Sequence, residues 1–260
     1  NIYPPMSKHL ADQGIEIIEG FRKKDLPVAD EFIIGNALSR GNEAVEYILN
    51  NQLDYLSGPS WLAKNILKNR KVVAVSGTHG KTTTTAMIAS ILNTQGIDIG
   101  YLIAGKPKDF LTSSRLGSSD VFVLEADEYD TAFFDKRAKF IHYRPQILVI
   151  NNLEFDHGDI YSDISDIQRQ FHHLIRTMSS KSTIICPTPD KKINDVLKMG
   201  VWSQLLKYGK KDSLSNYYEK IKTDYSSALF NIQGEQAALE WEMFGEHNIK
   251  NAMSAILSVN

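Results

Sequence analysis

Val72-Val73-Ala74-Val75-Ser76-Gly77-Thr78-His79-Gly80-Lys81-Thr82-Thr83 is the stretch that decides the fold. A short β-branched run stops at a turn with two glycines, and Thr82 to Gln95 then carries apolar residues at helical spacing. Strand, glycine turn and helix in that order aim successive backbone N–H groups and a helix N-terminus at one point. Such a point favours a polyanion such as the phosphates of ATP. Gly77 and Gly80 permit close approach, Lys81 would reach the β- and γ-phosphates, and the Thr82 hydroxyl could hold Mg²⁺. Thr78, His79 and Thr83 complete the candidate nucleotide-binding stretch. The general phosphate-loop pattern places glycine where Val75 stands, so a shorter, specialised loop is expected. A glycine turn that holds no ligand is the plain alternative.

Working outward, Tyr101 to Ala104, Val121 to Leu124, Ile147 to Ile150 and Thr183 to Cys186 read as further buried strands. Near-continuous apolar runs of this kind suit a parallel sheet covered by helices on both faces. Residues 204 to 243 alternate instead, through Tyr225 to Ile232 and Ala237 to Trp241 around Gly234, and predict an antiparallel hairpin. Upstream, Ile15 to Ile18, Phe32 to Ile34 and a helix through Ala44, Val45, Ile48 and Leu49 have βαβ rhythm. A helix with Trp61, Leu62, Ile66 and Leu67 runs into the polar Lys68-Asn69-Arg70-Lys71, which places a domain boundary near residue 70. The chain opens at Asn1 with no strand before it, and the helical pattern from Ile249 to Val259 runs on without a stop signal, so both ends are expected to continue in a longer protein.

With 260 residues and 42% hydrophobic content, the chain can bury one large core or two modest ones. Lys and Arg number 29 against 31 Asp and Glu, with no long run of one sign, which argues against a nucleic-acid or membrane-surface partner. Small molecules are the expected partners. The lone Cys186 cannot form an intrachain disulfide, and no secretion signal or long apolar span appears, which fits the reducing cytoplasm.

The run Val121 to Leu124 leads straight into Glu125-Ala126-Asp127-Glu128-Tyr129-Asp130, so Glu125 stands at a carboxyl end of the sheet, where such folds bind ligands. A carboxylate there can hold Mg²⁺ opposite the phosphate loop, or the cluster can be a solvated acidic loop. Ile147 to Ile150 emerges into Asn151-Asn152-Leu153-Glu154-Phe155-Asp156-His157 and brings polar groups to the same rim. His157 reads either as an ordinary histidine near a helix start or as support for a second metal ion. Phe133 to Phe140, with His142-Tyr143-Arg144-Pro145, is either a solvated face packed by its aromatics or a surface for an anionic substrate. Arg137, His142 and Arg144, with Asn152 on the rim, are the candidates for that second role.

Gly77 to Thr83, Glu-Ala-Asp-Glu at 125 to 128, Asn-Leu-Glu-Phe-Asp-His at 152 to 157 and Gly-Glu-His-Asn-Ile-Lys-Asn at 245 to 251 together resemble the Mur ligase family in order and spacing. The resemblance implies an α/β fold: a phosphate-loop central ATPase domain with a mostly parallel sheet at 71 to 260, preceded at 1 to 70 by a truncated Rossmann-like βαβ domain for a UDP-sugar. It implies that Lys81 binds phosphate, that Thr82 and Glu125 hold one Mg²⁺, that His157 supports a second metal, and that His247, Asn248 and Asn251 serve the nucleotide on its adenine side. Taken alone, Asn248 and Asn251 share a helix face at spacing i, i+3 and would more often be just a helix cap.

The implied chemistry is transfer of the ATP γ-phosphate to a carboxylate, then attack of an amine on the acyl phosphate. Gly35 to Asn42, Glu125 to Phe134 and His142 to Pro145 are similar to the branch that joins L-alanyl-γ-D-glutamyl-meso-diaminopimelate, a murein tripeptide, to UDP-N-acetylmuramate in peptidoglycan recycling. The family's third, carboxyl-terminal domain is outside these residues, so the 260 residues alone are expected to lack full ligase activity. A sibling activity on free L-alanine and, more remotely, folate-type polyglutamate ligation remain open. So does a nucleotide-dependent switch that does no ligation.

Overall fold

The computed structural model describes residues 6–105, 110, 112–155, 161–211 and 214–260. By contact the chain divides into two compact units, one running to Trp61 and taking in Asp130–Lys136, the other holding Leu62–Tyr129 and Arg137–Asn260.

The first unit opens with helix α1 (Met6–Asp12) and then builds strand β1 (Phe32–Ile34), helix α2 (Glu43–Asn50) and strand β2 (Tyr55–Ser57). β1 and β2 pair in parallel, with Phe32 opposite Tyr55 and Ile34 opposite Ser57. The Asn42 side chain starts α2 by accepting from the Ala44 and Val45 amides at 3.1 and 3.2 Å. That sets Val45 and Ile48 against Ile34 in a small core. The expected strand at Ile15 to Ile18 does not form. Ile15 and Ile18 are exposed and pair with no strand, because a four-residue run without a sheet neighbour cannot satisfy its backbone as a strand.

The single turn α3 (Gly58–Leu62) leads through a π-helical turn, Ala63–Leu67, to the strand that carries the phosphate loop, β3 (Lys71–Ser76). Then follow α4 (Lys81–Thr94), β4 (Gly100–Leu102), β5 (Ser114–Arg115) and β6 (Val121–Glu125). β7 (Asp130–Ala132) and β8 (Asp135–Ala138) form a two-stranded ribbon, and a 3-10 turn, Lys139–His142, follows it, so the aromatic and basic stretch is part strand and part helical turn. β9 (Ile147–Ile150), α5 (Ile164–Arg176), β10 (Thr183–Pro187) and α6 (Lys191–Lys198) continue the second unit. It ends with β11 (Gln204–Lys210), β12 (Asn216–Lys220), β13 (Ser227–Ile232), β14 (Glu235–Glu240) and α7 (Glu246–Val259).

One ten-stranded sheet runs β14-β13-β12-β11-β10-β9-β3-β6-β4-β5. Its centre is parallel from β4 through β6, β3, β9 and β10 to β11. The expected hairpin is β13 and β14, turning at Gln233 and Gly234. The alternating segment holds more than that hairpin: β11 extends the parallel sheet, and β12 bridges to the antiparallel part.

Side-chain alternation divides the core. Val72, Ala74, Phe122, Leu124, Leu148 and Ile150 face one way, toward Phe171 and Leu174 of α5 and Val196 of α6. Val73, Val75, Val123 and Val149 face the other way, toward Ile88 of α4 and Met253 of α7. Burial on both faces explains why these strands are apolar throughout. The register that produces it also aligns their carboxyl ends, since Val75 pairs with Glu125 and Ser76 with Ile150.

Candidate active site

Three polypeptide turns leave the sheet side by side at this rim: Gly77 after β3, Ala126 after β6 and Asn151 after β9. The first is held open by two glycines in conformations that other residues avoid, Gly77 at φ 123° and Gly80 at φ 79°. A Cβ on Gly77 would stand 2.8 Å from the Asn152 carbonyl oxygen, and one on Gly80 would stand 2.5 Å from Asn251 Oδ1. The loop therefore passes within contact of β9's exit and of α7: backbone blocks a side chain at Gly77, and at Gly80 the Asn251 amide would have to move.

The exit of β9 fastens the loop. Asn152 Oδ1 accepts from the His79 amide at 2.8 Å while Asn152 Nδ2 donates to the His79 carbonyl at 3.0 Å. The Thr78 hydroxyl accepts from the Glu154 amide at 2.8 Å, and the Thr78 amide donates to the Asn152 carbonyl at 3.3 Å. Asn152, a candidate for substrate contact, thus spends both ends of its amide on the backbone of His79. Its neighbour Asn151 is buried and donates from Nδ2 to Thr84 Oγ1 at 2.9 Å, tying β9 to the first turn of α4.

Lys81 folds back across this loop. Its Nζ donates to the Gly77 carbonyl at 2.7 Å and to the Thr78 carbonyl at 3.4 Å, and lies 3.7 Å from a carboxylate oxygen of the buried Glu128. Thr82, one residue on and exposed, donates from its hydroxyl to Glu125 Oε2 at 3.0 Å. The other carboxylate oxygen, Glu125 Oε1, accepts from the Ala104 amide at 2.6 Å. Burial pushes the Glu125 carboxyl above its ordinary pKa, against the pull of these two donors and of the Lys81 charge. Beside it, Asp127 pairs with Lys139 at 3.2 Å, and the Lys139 ammonium also lies over the Tyr129 ring.

α7 meets the loop from the far side of α4's first turn. Asn251 is buried against Gly80, and its Nδ2 lies 3.5 Å from Asn248 Oδ1, so the two amides share one helix face. Asn248 also donates to the Phe244 carbonyl at 2.8 Å, and His247 is exposed beside them. Thr83 is half-buried on α4. Arg137 is exposed on β8, His142 is half-buried, and Arg144 is exposed with a left-handed backbone at φ 45°. His157 lies outside the described residues. Lys81, Thr82, Glu125, Asn152 and Asn251 are joined through direct contacts around one loop.

A family model for the Mur ligase middle domain matches residues 75–259, and one for the Mur ligase family catalytic domain matches residues 1–70. The chain belongs to the Mur ligase family. Proteins of Haemophilus influenzae and Escherichia coli, both named UDP-N-acetylmuramate--L-alanyl-gamma-D-glutamyl-meso-2,6-diaminoheptandioate ligase, are each 47% identical to this Mur ligase chain, over 100% and 98% of it. It covers 57% and 56% of their lengths, little more than half of each. A solved structure of UDP-N-acetylmuramate:L-alanyl-gamma-D-glutamyl-meso-diaminopimelate ligase from Neisseria meningitides superposes with a TM-score of 0.93 at 43% identity, over 100% of this chain and 83% of that one.

For this Mur ligase the geometry adds residues that the sequence reading did not single out. Glu128 sits three positions past Glu125 in the acidic run, but nothing in the sequence tells which carboxylate turns inward to Lys81. Asn151 stands at the end of an apolar strand, where a buried amide is the visible signal. Lys139 lies inside the basic stretch, one residue beyond the arginine and alanine that close β8. Among the described residues no cluster of three or more His, Cys, Asp or Glu side chains is arranged to hold a metal alone. The Thr82 and Glu125 oxygens nevertheless suit Mg²⁺, which takes oxygen donors and draws much of its coordination from water and substrate phosphate.

Proposed function

We propose that this chain carries the ATP site of an enzyme that joins L-alanyl-γ-D-glutamyl-meso-diaminopimelate to UDP-N-acetylmuramate. The observation that carries the reading is the glycine-turned loop with Lys81 folded over it and the Thr82 to Glu125 hydrogen bond at its mouth. The names borne by its relatives at 47% identity support the choice of substrates. Residues 1–70 are assigned to the UDP-sugar and 71–260 to ATP, and the reaction is assigned to the cytoplasm. No helix of the described residues is long and apolar enough to cross a membrane.

In this reading the amides at the start of α4 and the Lys81 ammonium bind the β- and γ-phosphates. A muramyl carboxylate oxygen attacks the γ-phosphorus, the bond to the β-phosphate bridging oxygen breaks, and ADP leaves. The peptide amine then attacks the acyl carbon, phosphate departs with the C–O bond's electrons, and the amine loses a proton to give the amide. Mg²⁺, held by Thr82 and Glu125, would neutralise charge on the phosphates, with His157 assigned to a second metal position. His247, Asn248 and Asn251 are assigned to the nucleotide's base and ribose, and Arg137, His142 and Arg144 to anionic groups of the substrate.

The test is phosphate release and product formation by the protein that carries this chain, with ATP and UDP-N-acetylmuramate and either the tripeptide or L-alanine as amine. Release that requires both UDP-sugar and tripeptide is expected. Preference for L-alanine would refute the substrate assignment. ATP turnover independent of both substrates would refute ligation.

A further inference from the structure

The one cation of the phosphate loop is already engaged. Lys81 donates to two carbonyls of its own loop and lies 3.7 Å from Glu128, and both side chains are withdrawn from solvent, 17% and 2% exposed. Glu128 is fixed in place from behind, because the buried Tyr161 hydroxyl donates to its backbone carbonyl. A second carboxylate, Glu125, is held 3.0 Å from the hydroxyl of Thr82, the residue that follows Lys81. The neighbouring Asp127 has its own partner in Lys139 and does not compete for it. Lys81 therefore faces two carboxylates at the spot where phosphate oxygens would have to enter.

We infer that Glu128 is a positioning residue that stows Lys81 across the loop and makes capture of a polyphosphate conditional on a divalent cation. The inference rests on the ATP site proposed above. A naked triphosphate approaching this mouth meets two carboxylates and a single ammonium that is tied down, so the pull of the amides at the start of α4 is opposed. A triphosphate that arrives with its divalent cation brings the charge that Glu125 can meet, and Lys81 can leave Glu128 for the phosphates. Glu128 touches no reacting atom in this scheme; it acts through Lys81.

The test measures ATP affinity with Mg²⁺ and with EDTA in the wild-type protein, Glu128→Gln, Lys81→Met and the double variant. Glu128→Gln removes charge at nearly constant shape and is expected to tighten metal-free ATP binding by about tenfold, with a smaller change in Mg²⁺. In the Lys81→Met background the same substitution should have much less effect. Glu128→Asp, which keeps the charge, should retain most of the wild-type metal dependence. Independently of nucleotide, reductive methylation read by mass spectrometry should label Lys81 faster in Glu128→Gln than in the wild type.

Unchanged or weaker metal-free binding in Glu128→Gln, an equal gain without Lys81, or unchanged Lys81 labelling would each overturn the role of Glu128. Failure of the wild type to bind ATP even with Mg²⁺ would instead remove the nucleotide site itself, and this inference with it.

Discussion

Thr82 and Glu125 are joined by a 3.0 Å hydrogen bond that spans from the first turn of α4 to the end of β6. The hydroxyl donates, so its lone pairs stay free, and the carboxyl, pushed above its ordinary pKa by burial, is drawn back by the Ala104 amide, the Thr82 hydroxyl and the Lys81 charge. That arrangement suits two oxygens that share a hard cation. Glu125→Gln preserves the shape and removes the anion. It is expected to lower ligation turnover by about 100-fold or more, the range for loss of one preorganised electrostatic contact. It should also raise the Mg²⁺ concentration needed for half-maximal rate. Thr82→Ser should stay near wild type and Thr82→Ala should not; an unchanged Mg²⁺ requirement in Glu125→Gln would refute the assignment.

Gly77 and Gly80 both reject a side chain, but for different reasons that a stability measurement can separate. Each has positive φ, so alanine costs about 1–3 kcal/mol of backbone strain at either site. At Gly80 the added methyl also meets the Asn251 side chain at 2.5 Å, which a second substitution can remove. At Gly77 it meets the backbone of Asn152 at 2.8 and 3.0 Å, which no substitution can remove. In denaturant titrations Asn251→Ala should recover part of the loss in Gly80→Ala and none of the loss in Gly77→Ala. Equal recovery, or none, would show that Asn251 does not press on Gly80.

The parallel centre of the fold was legible because β3, β6, β9 and β10 are buried on both faces and so are apolar without interruption. The glycine turn was legible because Gly77, Gly80, Lys81 and Thr82 fall close together directly after an apolar strand. α5 and α6 were passed over, although each announces its start with a capping aspartate. Asp163 accepts from the Ser165 and Asp166 amides, and Asp190 accepts from Ile193. The Ile15 to Ile18 run misled because local hydrophobicity cannot show whether a partner strand exists. Which of the four acidic groups from Glu125 to Asp130 would turn toward Lys81 was illegible for a similar reason: it depends on the path of residues 126–128 in space and on Tyr161, thirty-three positions from Glu128.

Tyr208, wholly buried on β11, anchors α7 to the sheet. Its hydroxyl lies 2.9 Å from Ser254 Oγ and donates to the Lys250 carbonyl at 3.2 Å. Burial pushes the phenol well above its ordinary pKa, so it stays a neutral donor across the working range. Tyr208→Phe keeps the ring and leaves Ser254 and Lys250 with one partner fewer. A loss of about 1 kcal/mol in unfolding free energy is expected. Ser254→Ala should cost less when added to Tyr208→Phe than alone, and full additivity would show that the pair is not coupled.

Glu246 opens α7 as the centre of four donors. Tyr218 and Tyr225 hydroxyls donate to it at 2.7 and 3.0 Å, and the Lys210 and Lys250 ammonium groups lie 3.0 and 3.4 Å away. Burial alone would raise its pKa, but hydrogen bonds from Tyr218, Lys210 and Tyr225, with the charge of Lys250, prevail and lower it from 4.5 to about 2. A carboxyl whose folded pKa is depressed binds its proton more readily when the chain is unfolded. Its contribution to stability is therefore complete above pH 4.5 and is lost as pH falls toward 2. Glu246→Gln removes that contribution at every pH. The difference in melting temperature between wild type and Glu246→Gln should accordingly be largest near neutrality, shrink between pH 4.5 and 2, and stay flat from pH 6 to 8. A difference that holds constant down to pH 2 would mean that the four donors recognise the side chain's shape and not its charge.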